Sequence, residues 1–291
     1  MSENKTLTGK FSVSPPAPVA CLYAVDEYLY AGSATNGYLY RTLDGYSYEE
    51  FWRTGEVAVT SVMEYGDALF VGTAVDGKIF MHNFTTGNRF HYVTTGDYEV
   101  SAMALFNGLL YVGTKPGGMV LSFNGDRWSK EYEAYGSGIE SMSVWNNRLH
   151  LFVAGTQTIP YVDADGSWSF MREGDDVFSV SGKSPVSTSL DPLLIPKVFD
   201  SGFAESAVFN GMLMFVGGER KKIYSFDGTT VKIEFQSTTG DITGLEVVGG
   251  TQLYLAAGDT VYIHEIELTE EDSESSESDD ETQSTSEEDD G

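Results

Sequence analysis

Residues 101–136 read SAMALFNGLLYVGTKPGGMVLSFNGDRWSKEYEAYG, and this stretch decides the fold. Short apolar runs alternate in it with turn signals, which are Asn107-Gly108, Lys115-Pro116-Gly117-Gly118 and Asn124-Gly125. Asn-Gly between apolar runs indicates a two-residue hairpin, because a type I′ turn needs positive φ at both central positions. The stretch therefore predicts four antiparallel strands within about 40 residues.

An apolar phrase that ends in glycine recurs along the chain. Its six copies end 40, 41, 42, 62 and 41 residues apart, at Gly32, Gly72, Gly113, Gly155, Gly217 and Gly258. A period near 40 residues with four strands per repeat is typical of a β-propeller. Helical periodicity is absent, so the sequence predicts an all-β, six-bladed β-propeller with four-stranded antiparallel blades. The second strands alternate little, which predicts burial of both their faces between neighbouring sheets.

The last repeat lacks an outer strand, because an acidic tail follows its third strand. Residues 9–14 are strand-like, belong to no repeat, and precede Pro15 and Pro16, which end a strand. We predict that this N-terminal strand closes the last blade as its missing outer strand. The predicted organisation is a flexible N-terminus at 1–7, a propeller at 8–266 with an insertion at about 173–196, and a disordered acidic C-terminal tail at 267–291.

The formal net charge of −27 is unevenly distributed. Residues 267–291 carry 13 acidic side chains and no Lys or Arg, whereas residues 1–266 carry the other 31 acidic and all 17 basic ones. A negative field repels phosphates and anionic lipids, which predicts no nucleic-acid partner and no membrane insertion. The N-terminal residues contain no signal-peptide segment, so we predict synthesis in the cytoplasm, with a virion as one destination.

Residues with catalytic or metal-binding chemistry are few and scattered. The single cysteine, Cys21, lies in an apolar run and is predicted to be a core residue. Among the histidines, His150 and His264 are predicted to be core residues, and His82 and His91 to be partly exposed. They show no metal-ligand spacing and no nucleophile motif accompanies them. We therefore predict no enzymatic activity, no catalytic residue, no metal and no cofactor.

Two segments are candidate binding sites. The irregular interval before Gly217 contains an insertion that is too apolar for an idle linker, which predicts a docking loop with the residues Leu190, Leu193, Leu194 and Ile195. A tolerated surface excursion is the alternative. The basic run Arg220, Lys221 and Lys222 is a candidate seat for an acidic neighbour, with a solvated turn as the alternative.

The phrase from Phe106 to Trp128 resembles divergent β-propeller repeats, such as those of Kelch-like and Asp-box-like propellers and of structural proteins of tailed bacteriophages. Asp-Gly turns followed by an aromatic residue, as in residues 165–168, resemble degenerate Asp-boxes, and we predict a hairpin turn rather than a calcium loop at residues 163–166. The Kelch di-glycine is missing from most repeats. The resemblance covers about residues 19–266 and implies the fold rather than one activity.

The leading functional hypothesis is a non-enzymatic protein–protein interaction or structural module of a larger assembly, such as a tail, neck or capsid accessory component of a virion. The second hypothesis is a glycan-binding or host-receptor-binding propeller. The corresponding loops differ from repeat to repeat, which counts against a repeated sugar site. The third is a metal-dependent, lactonase-like propeller enzyme, which would hold calcium at its central channel.

Overall fold

The computed structural model describes residues 9–13, 15–145, 147–154, 158–172, 206–209, 212–217, 220–226, 231–238, 240–249 and 252–265. This part of the chain forms β-strands and turns without a helix, so none of it is a helix long and apolar enough to cross a membrane. The strands are β1 (Gly9–Val13), β2 (Val19–Val25), β3 (Tyr28–Ser33), β4 (Tyr38–Thr42), β5 (Glu49–Arg53), β6 (Ala58–Tyr65), β7 (Ala68–Ala74), β8 (Lys78–Asn83), β9 (Arg89–Thr94), β10 (Glu99–Phe106), β11 (Leu109–Lys115), β12 (Met119–Phe123), β13 (Trp128–Glu133), β14 (Ile139–Trp145), β15 (Arg148–Val153), β16 (Thr158–Val162), β17 (Trp168–Arg172), β18 (Ser206–Phe209), β19 (Met212–Val216), β20 (Lys222–Phe226), β21 (Val231–Gln236), β22 (Ile242–Val248), β23 (Gln252–Ala257) and β24 (Thr260–Glu265).

Consecutive strands pair as antiparallel hairpins. Four sheets have the strand orders β2-β3-β4-β5, β14-β15-β16-β17, β18-β19-β20-β21 and β22-β23-β24-β1. In the remaining eight-stranded sheet, β6–β9 and β10–β13 are joined by the pair Glu99↔Ala74. The four strands predicted from residues 101–136 are confirmed as β10–β13.

The turn at Asn107-Gly108 has the geometry that its sequence predicts. Asn107 has φ +50° and Gly108 has φ +74°. Phe106 pairs with Leu109 across the turn, so two residues close the hairpin between β10 and β11. Asparagine and glycine tolerate this left-handed backbone better than other residues do, which explains why the pair stands here.

The N-terminal strand β1 pairs with β24, as predicted from the sequence. Phe11 lies opposite Ile263 and Val13 lies opposite Val261 in this antiparallel ladder. Since β24 also pairs with β23, the first and last described strands of the chain share one sheet.

The strands β2, β6, β10, β14, β18 and β22, hereafter the inner strands, form a closed ring. Each contacts the next one in chain order, and β22 contacts β2. Apolar clusters fill the spaces between neighbouring sheets; one of them joins Leu22 and Ala31 to Tyr254 and Ala256. Every residue of β7 is buried, which confirms the predicted burial of both faces for this second strand.

Three glycines of the repeated phrase bring a second strand close to the next inner strand. A Cβ atom at Gly32 would lie 2.5 Å from the carbonyl oxygen of Val59, and one at Gly113 would lie 2.6 Å from Cγ2 of Ile139. A Cβ atom at Gly72 would lie 2.5 Å from Cγ1 of Val100 in the inner strand β10. No larger residue fits at these positions, so glycine sets the spacing between the sheets.

The glycines of the repeated phrase do not all occupy the same position in their hairpins. Gly72 of β7 pairs with Ile79 of β8. In the β19–β20 hairpin the residue at that position is Val216, which pairs with Ile223, so Gly217 lies one residue later. Gly258 lies in the turn after β23, with φ +64°. Gly155 lies outside the described residues. The tight-packing role therefore belongs to Gly32, Gly72 and Gly113.

Candidate functional site

Five inner strands carry a β-bulge near their start, which gives them a common register. The extra residues, inferred from the register shifts, are Ala20, Thr60, Ser101, Glu140 and Thr243. A bulge bends its strand and re-aims one side chain. Counting from the bulges therefore identifies equivalent positions around the ring.

Three bulge hydroxyls connect neighbouring inner strands. Each donates a hydrogen bond to a carbonyl oxygen of the next strand: Thr60 to Val100 at 2.7 Å, Ser101 to Ile139 at 2.6 Å, and Thr243 to Val19 at 2.5 Å. Each bond contributes on the order of 1 kcal/mol. These bonds hold β6 to β10, β10 to β14 and β22 to β2.

The inner strands surround a cavity of about 350 Å³. Small-molecule pockets of proteins have volumes of ~300–1,000 Å³, so the cavity is at the small end of that range. Small hydroxyl and apolar side chains dominate its described lining, which comprises residues 21–23, 60–63, 101–105, 141–144, 207 and 245–246. This described lining contains one carboxylic acid, Glu246, and no Lys, Arg or His.

Glu246 lies three residues after its bulge, in a layer with Tyr23, Met63, Ala104 and Ser143. Burial raises the pKa of Glu246 to about 8, although hydrogen bonds from the backbone amides of Val247 and Ala24 oppose this shift. A carboxyl group enclosed in this way is held in its neutral form at neutral pH.

Tyr23 is the neighbour of Glu246 across the β22–β2 boundary. Burial raises the pKa of the Tyr23 hydroxyl, and the charge of Glu246 adds to this effect, while a hydrogen bond to the Glu64 backbone opposes it. Burial also raises the pKa of Glu64, with a contribution from the charge of Asp26. Glu64 therefore lies close to Tyr23 but outside the described lining of the cavity.

A second candidate surface lies where the sheets are connected. Three of the described connections hydrogen-bond to a hairpin of the strands that they follow: Thr54 N to Gly37 O at 3.0 Å, Thr95 N to Gly77 O at 3.0 Å, and Ala134 N to Gly118 O at 2.9 Å. These segments consequently lie on one side of the ring. We call this side the connection face; its described residues are 15–18, 34–37, 54–57, 75–77, 95–98, 116–118, 134–138, 154, 217, 220–221, 237–238, 240–241 and 258–259.

The predicted basic turn lies on the connection face, where two of its charges face carboxylates of the same chain. Arg220 Nη2 is 2.7 Å and Lys115 Nζ is 2.8 Å from the same oxygen, Oε2 of Glu140. Burial raises the pKa of Glu140, but these two cations outweigh it and the net pKa is lowered. Lys221 Nζ is 2.9 Å from Asp241 Oδ1.

Lys222 belongs to β20 and pairs with Gln236, so the three basic residues do not converge on one point. Arg220 instead links three sheets through Glu140, since Lys115 and Glu140 belong to two others. A role of this turn in binding an acidic neighbour stays a prediction.

Large apolar side chains are exposed on three consecutive connections of this face. Val57 is 54%, Tyr98 is 52% and Tyr135 is 86% exposed. The predicted docking residues Leu190, Leu193, Leu194 and Ile195 lie outside the described residues, as does the acidic tail. By chain order the insertion joins β17 to β18, in the sequence position of a connection.

The histidine predictions need one correction. His82 is buried rather than partly exposed, because Phe51 and Phe84 pack edge-on against its ring. Burial lowers its pKa, and the nearby guanidinium of Arg89 lowers it further. His91 is exposed, whereas His150 and His264 are buried as predicted, and so is Cys21.

The segment at residues 163–166 is a hairpin turn, as predicted. Asp163 accepts a hydrogen bond from Arg148 Nε at 2.6 Å, and Asp165 accepts one from the Ser167 amide at 2.8 Å. Within the described part of the chain, no group of three or more His, Cys, Asp or Glu side chains is placed to hold a metal ion.

Sequence reasoning missed Glu246, because it lies in an ordinary strand without a motif. Thr60, Ser101 and Ala20 each stand 12 residues before their phrase glycine, a spacing that is visible in sequence. Thr243 stands 15 residues before Gly258, so the same count does not reach the layer of Glu246.

No family model matches the chain, and no curated protein sequence does. Solved structures do match it. A catalytically inactive virginiamycin B lyase from Staphylococcus aureus, crystallised with quinupristin, is 12% identical with a TM-score of 0.66, over 88% of this chain and 98% of the lyase. A chain of the mitotic checkpoint complex is 12% identical with a TM-score of 0.66, over 91% of this chain and 96% of that one.

The extracellular domain of a putative one-component system from B. thetaiotaomicron is 15% identical with a TM-score of 0.57, over 85% of this chain and 38% of that one. These neighbours are β-propeller proteins, and the fold of this chain is that of a β-propeller. They include an enzyme and proteins of interaction complexes, so the likeness does not select an activity. It also does not single out Kelch-like or bacteriophage propellers.

Proposed function

We propose that the chain is a six-bladed β-propeller that acts as a non-catalytic interaction module of a larger assembly. Each proposed blade has four antiparallel strands, and β1 completes the last blade. The strand orders, the ring of inner-strand contacts and the β1–β24 ladder support this architecture. A closed ring leaves the loops of its faces free to contact a partner.

The connection face is the proposed docking surface. The observation that carries this proposal is the exposure of Val57, Tyr98 and Tyr135 on consecutive connections of that face. Exposed tyrosines favour protein interfaces, because the ring offers a large contact area while the hydroxyl remains hydrogen-bonded to water or partner. The apolar insertion that joins β17 to β18 is proposed to extend the same surface.

A virion is the assembly that the sequence resemblance to tailed-bacteriophage proteins favours. Docking through one face is compatible with an accessory position on a larger particle. The glycan-binding and enzymatic hypotheses have no comparable observation on the connection face.

The test uses two variants, Tyr98→Ser with Tyr135→Ser, and a deletion of residues 173–196. Each truncated hot-spot tyrosine costs about 2 kcal/mol of binding, so we expect at least a tenfold loss of the chain from assemblies separated by density-gradient centrifugation. The matched control is Phe90→Ser with Phe170→Ser, which removes exposed rings from β9 and β17 and should leave incorporation within twofold.

Folding of every variant is checked by thermal melting. Sedimentation of the wild-type chain as a free monomer would refute the assembly role, and equal losses in test and control variants would refute the docking face. Absence of nucleic acid from these assemblies would refute the proposal that the assembly is a virion.

A further inference from the structure

We propose that the central cavity binds a small organic cation, an ammonium group on an apolar body, with the Glu246 carboxylate as its counter-ion. This site is separate from the connection face, and it does not depend on the assembly role.

The first reason is charge. Glu246 is the one carboxylic acid of the described lining, and that lining contains no basic side chain to pair with it. Tyr23 on β2 is the titratable side chain that interacts with it. Tyr254 is its register partner on β23 but lies in the apolar cluster between the sheets, outside the described lining. Ala207 is the described lining residue of β18. A cation that enters the cavity would therefore form an ion pair with Glu246, which no described lining residue forms.

The second reason is the shape and polarity of the space. Met63, Leu105 and Val144 line it with apolar surface, and Leu105 and Val144 are also exposed to solvent, 47% and 41%. The cavity is therefore open at the side where these residues lie. The apolar part of the ligand can cover Met63, Leu105 and Val144, while its ammonium group reaches the layer that contains Glu246.

A metal ion fits the same residues less well. Calcium takes ~6–8 oxygen ligands and usually several carboxylates, whereas the described lining offers one carboxylate. The Thr60, Ser61 and Ser101 hydroxyls lie near the opposite end of the cavity, where they donate to backbone carbonyls. One carboxylate beside apolar walls matches an alkyl- or arylalkylammonium ion.

Binding at this site has a defined pH dependence. The raised pKa of Glu246 keeps the carboxyl protonated in the free protein below pH about 8. An ammonium ion pairs with the carboxylate, so binding displaces a proton. The affinity should rise up to tenfold per unit from pH 6 towards 8 and level off above it, until the amine loses its own proton near pH ~10.

The experiment is isothermal titration calorimetry of the full chain with 2-phenylethylammonium chloride, and with 2-phenylethanol as the neutral analogue. We expect saturable binding of the ammonium ion, with the alcohol at least tenfold weaker. Glu246→Gln should weaken the ammonium ion at least tenfold and abolish the pH dependence. The control Glu64→Gln removes a neighbouring carboxyl that does not line the cavity, and it should change affinity less than threefold.

Thermal melting of both variants shows whether they are folded. Absence of saturable binding, equal binding of the alcohol, or equal effects of the two substitutions would overturn the proposal. A calcium titration of the wild-type chain that gives heat and is lost in Glu246→Gln would replace it with a metal site. Loss of assembly in the tyrosine variants bears only on the connection face, so failures of the two proposals are distinguishable.

Discussion

At the scale of single residues, the packing of neighbouring sheets depends on glycines, which lack a Cβ atom. Gly72 leaves room for the side chain of Val100, since a Cβ atom at Gly72 would lie 2.5 Å from Cγ1 of Val100. In the same way, the missing Cβ atoms of Gly32 and Gly113 leave room for the inner strands β6 and β14. Glycine is selected at these three positions by contact rather than by backbone conformation, because none of the three has a positive φ.

Gly72→Ala should therefore destabilise the protein by about 1–3 kcal/mol, the usual cost of overpacking a core. Such a Cβ atom would also meet Oγ of Ser61 and Cβ of Val100. Val100→Ala removes one of the clashing groups, Cγ1, so the double variant should lose less stability than the sum of the two single variants, by at least ~0.5 kcal/mol. Urea denaturation of the four proteins measures this coupling. Strict additivity would mean that Gly72 and Val100 do not share the space.

At the scale of elements, strand pairing explains how the chain is closed. Strand β1 covers the edge of β24, which would otherwise expose unpaired backbone groups. The proline pair at residues 15–16 begins two residues after the end of β1 and separates it from β2. Residues distant in sequence thus share a sheet, and the ends of the propeller hold each other.

Deletion of residues 1–14 should lower the melting temperature relative to deletion of residues 1–8, which retains β1. The lost cross-strand pairs contribute ~0.2–1 kcal/mol each, so we expect a fall of about 3–10 °C and increased aggregation. Differential scanning calorimetry and light scattering of the two truncations provide the measurement. Identical melting curves would show that β1 contributes nothing to closure.

Strand positions could be predicted from the sequence, whereas contacts between sheets could not. The turn signals of residues 101–136 located β10–β13 within about two residues, because hairpin chemistry is local. The burial of His82 was not predictable in this way, since Phe51 reaches its ring from a different sheet. The same limit applies to the candidate site. Its basic turn was visible in sequence, but the carboxylates that face Arg220 and Lys221 were not.

At the scale of the whole molecule, the connection face is held by ion pairs as well as backbone hydrogen bonds. Glu140 stands in a bulge and faces Lys115 and Arg220 from two other sheets. The three side chains are only 22–30% exposed, so solvent screens them less than a surface pair. The pair Lys221–Asp241 is more exposed, 41% and 59%.

Glu140→Gln should cost about 1–2 kcal/mol, because it leaves two partly buried cations without their carboxylate. Asp241→Asn removes an exposed partner and should cost less than ~0.5 kcal/mol. Chemical denaturation at low and at high salt compares the two variants, and the Glu140 effect should persist better in salt. Equal small costs would mean that the Glu140 network does not couple the sheets.

The sequence by itself determined the four strands of residues 101–136, the two-residue turn at 107–108 and the partner of the N-terminal strand. These features follow from local periodicity and from counting one missing strand. Tertiary structure decided which glycines are packing positions, which carboxylates face Arg220 and Lys221, and that Glu246 lines a cavity. The physical reason is that these facts depend on contacts between residues of different sheets, which lie 80 residues apart in sequence for Glu140 and Arg220. Packing between neighbouring sheets brings such residues together, and no local sequence pattern predicts it.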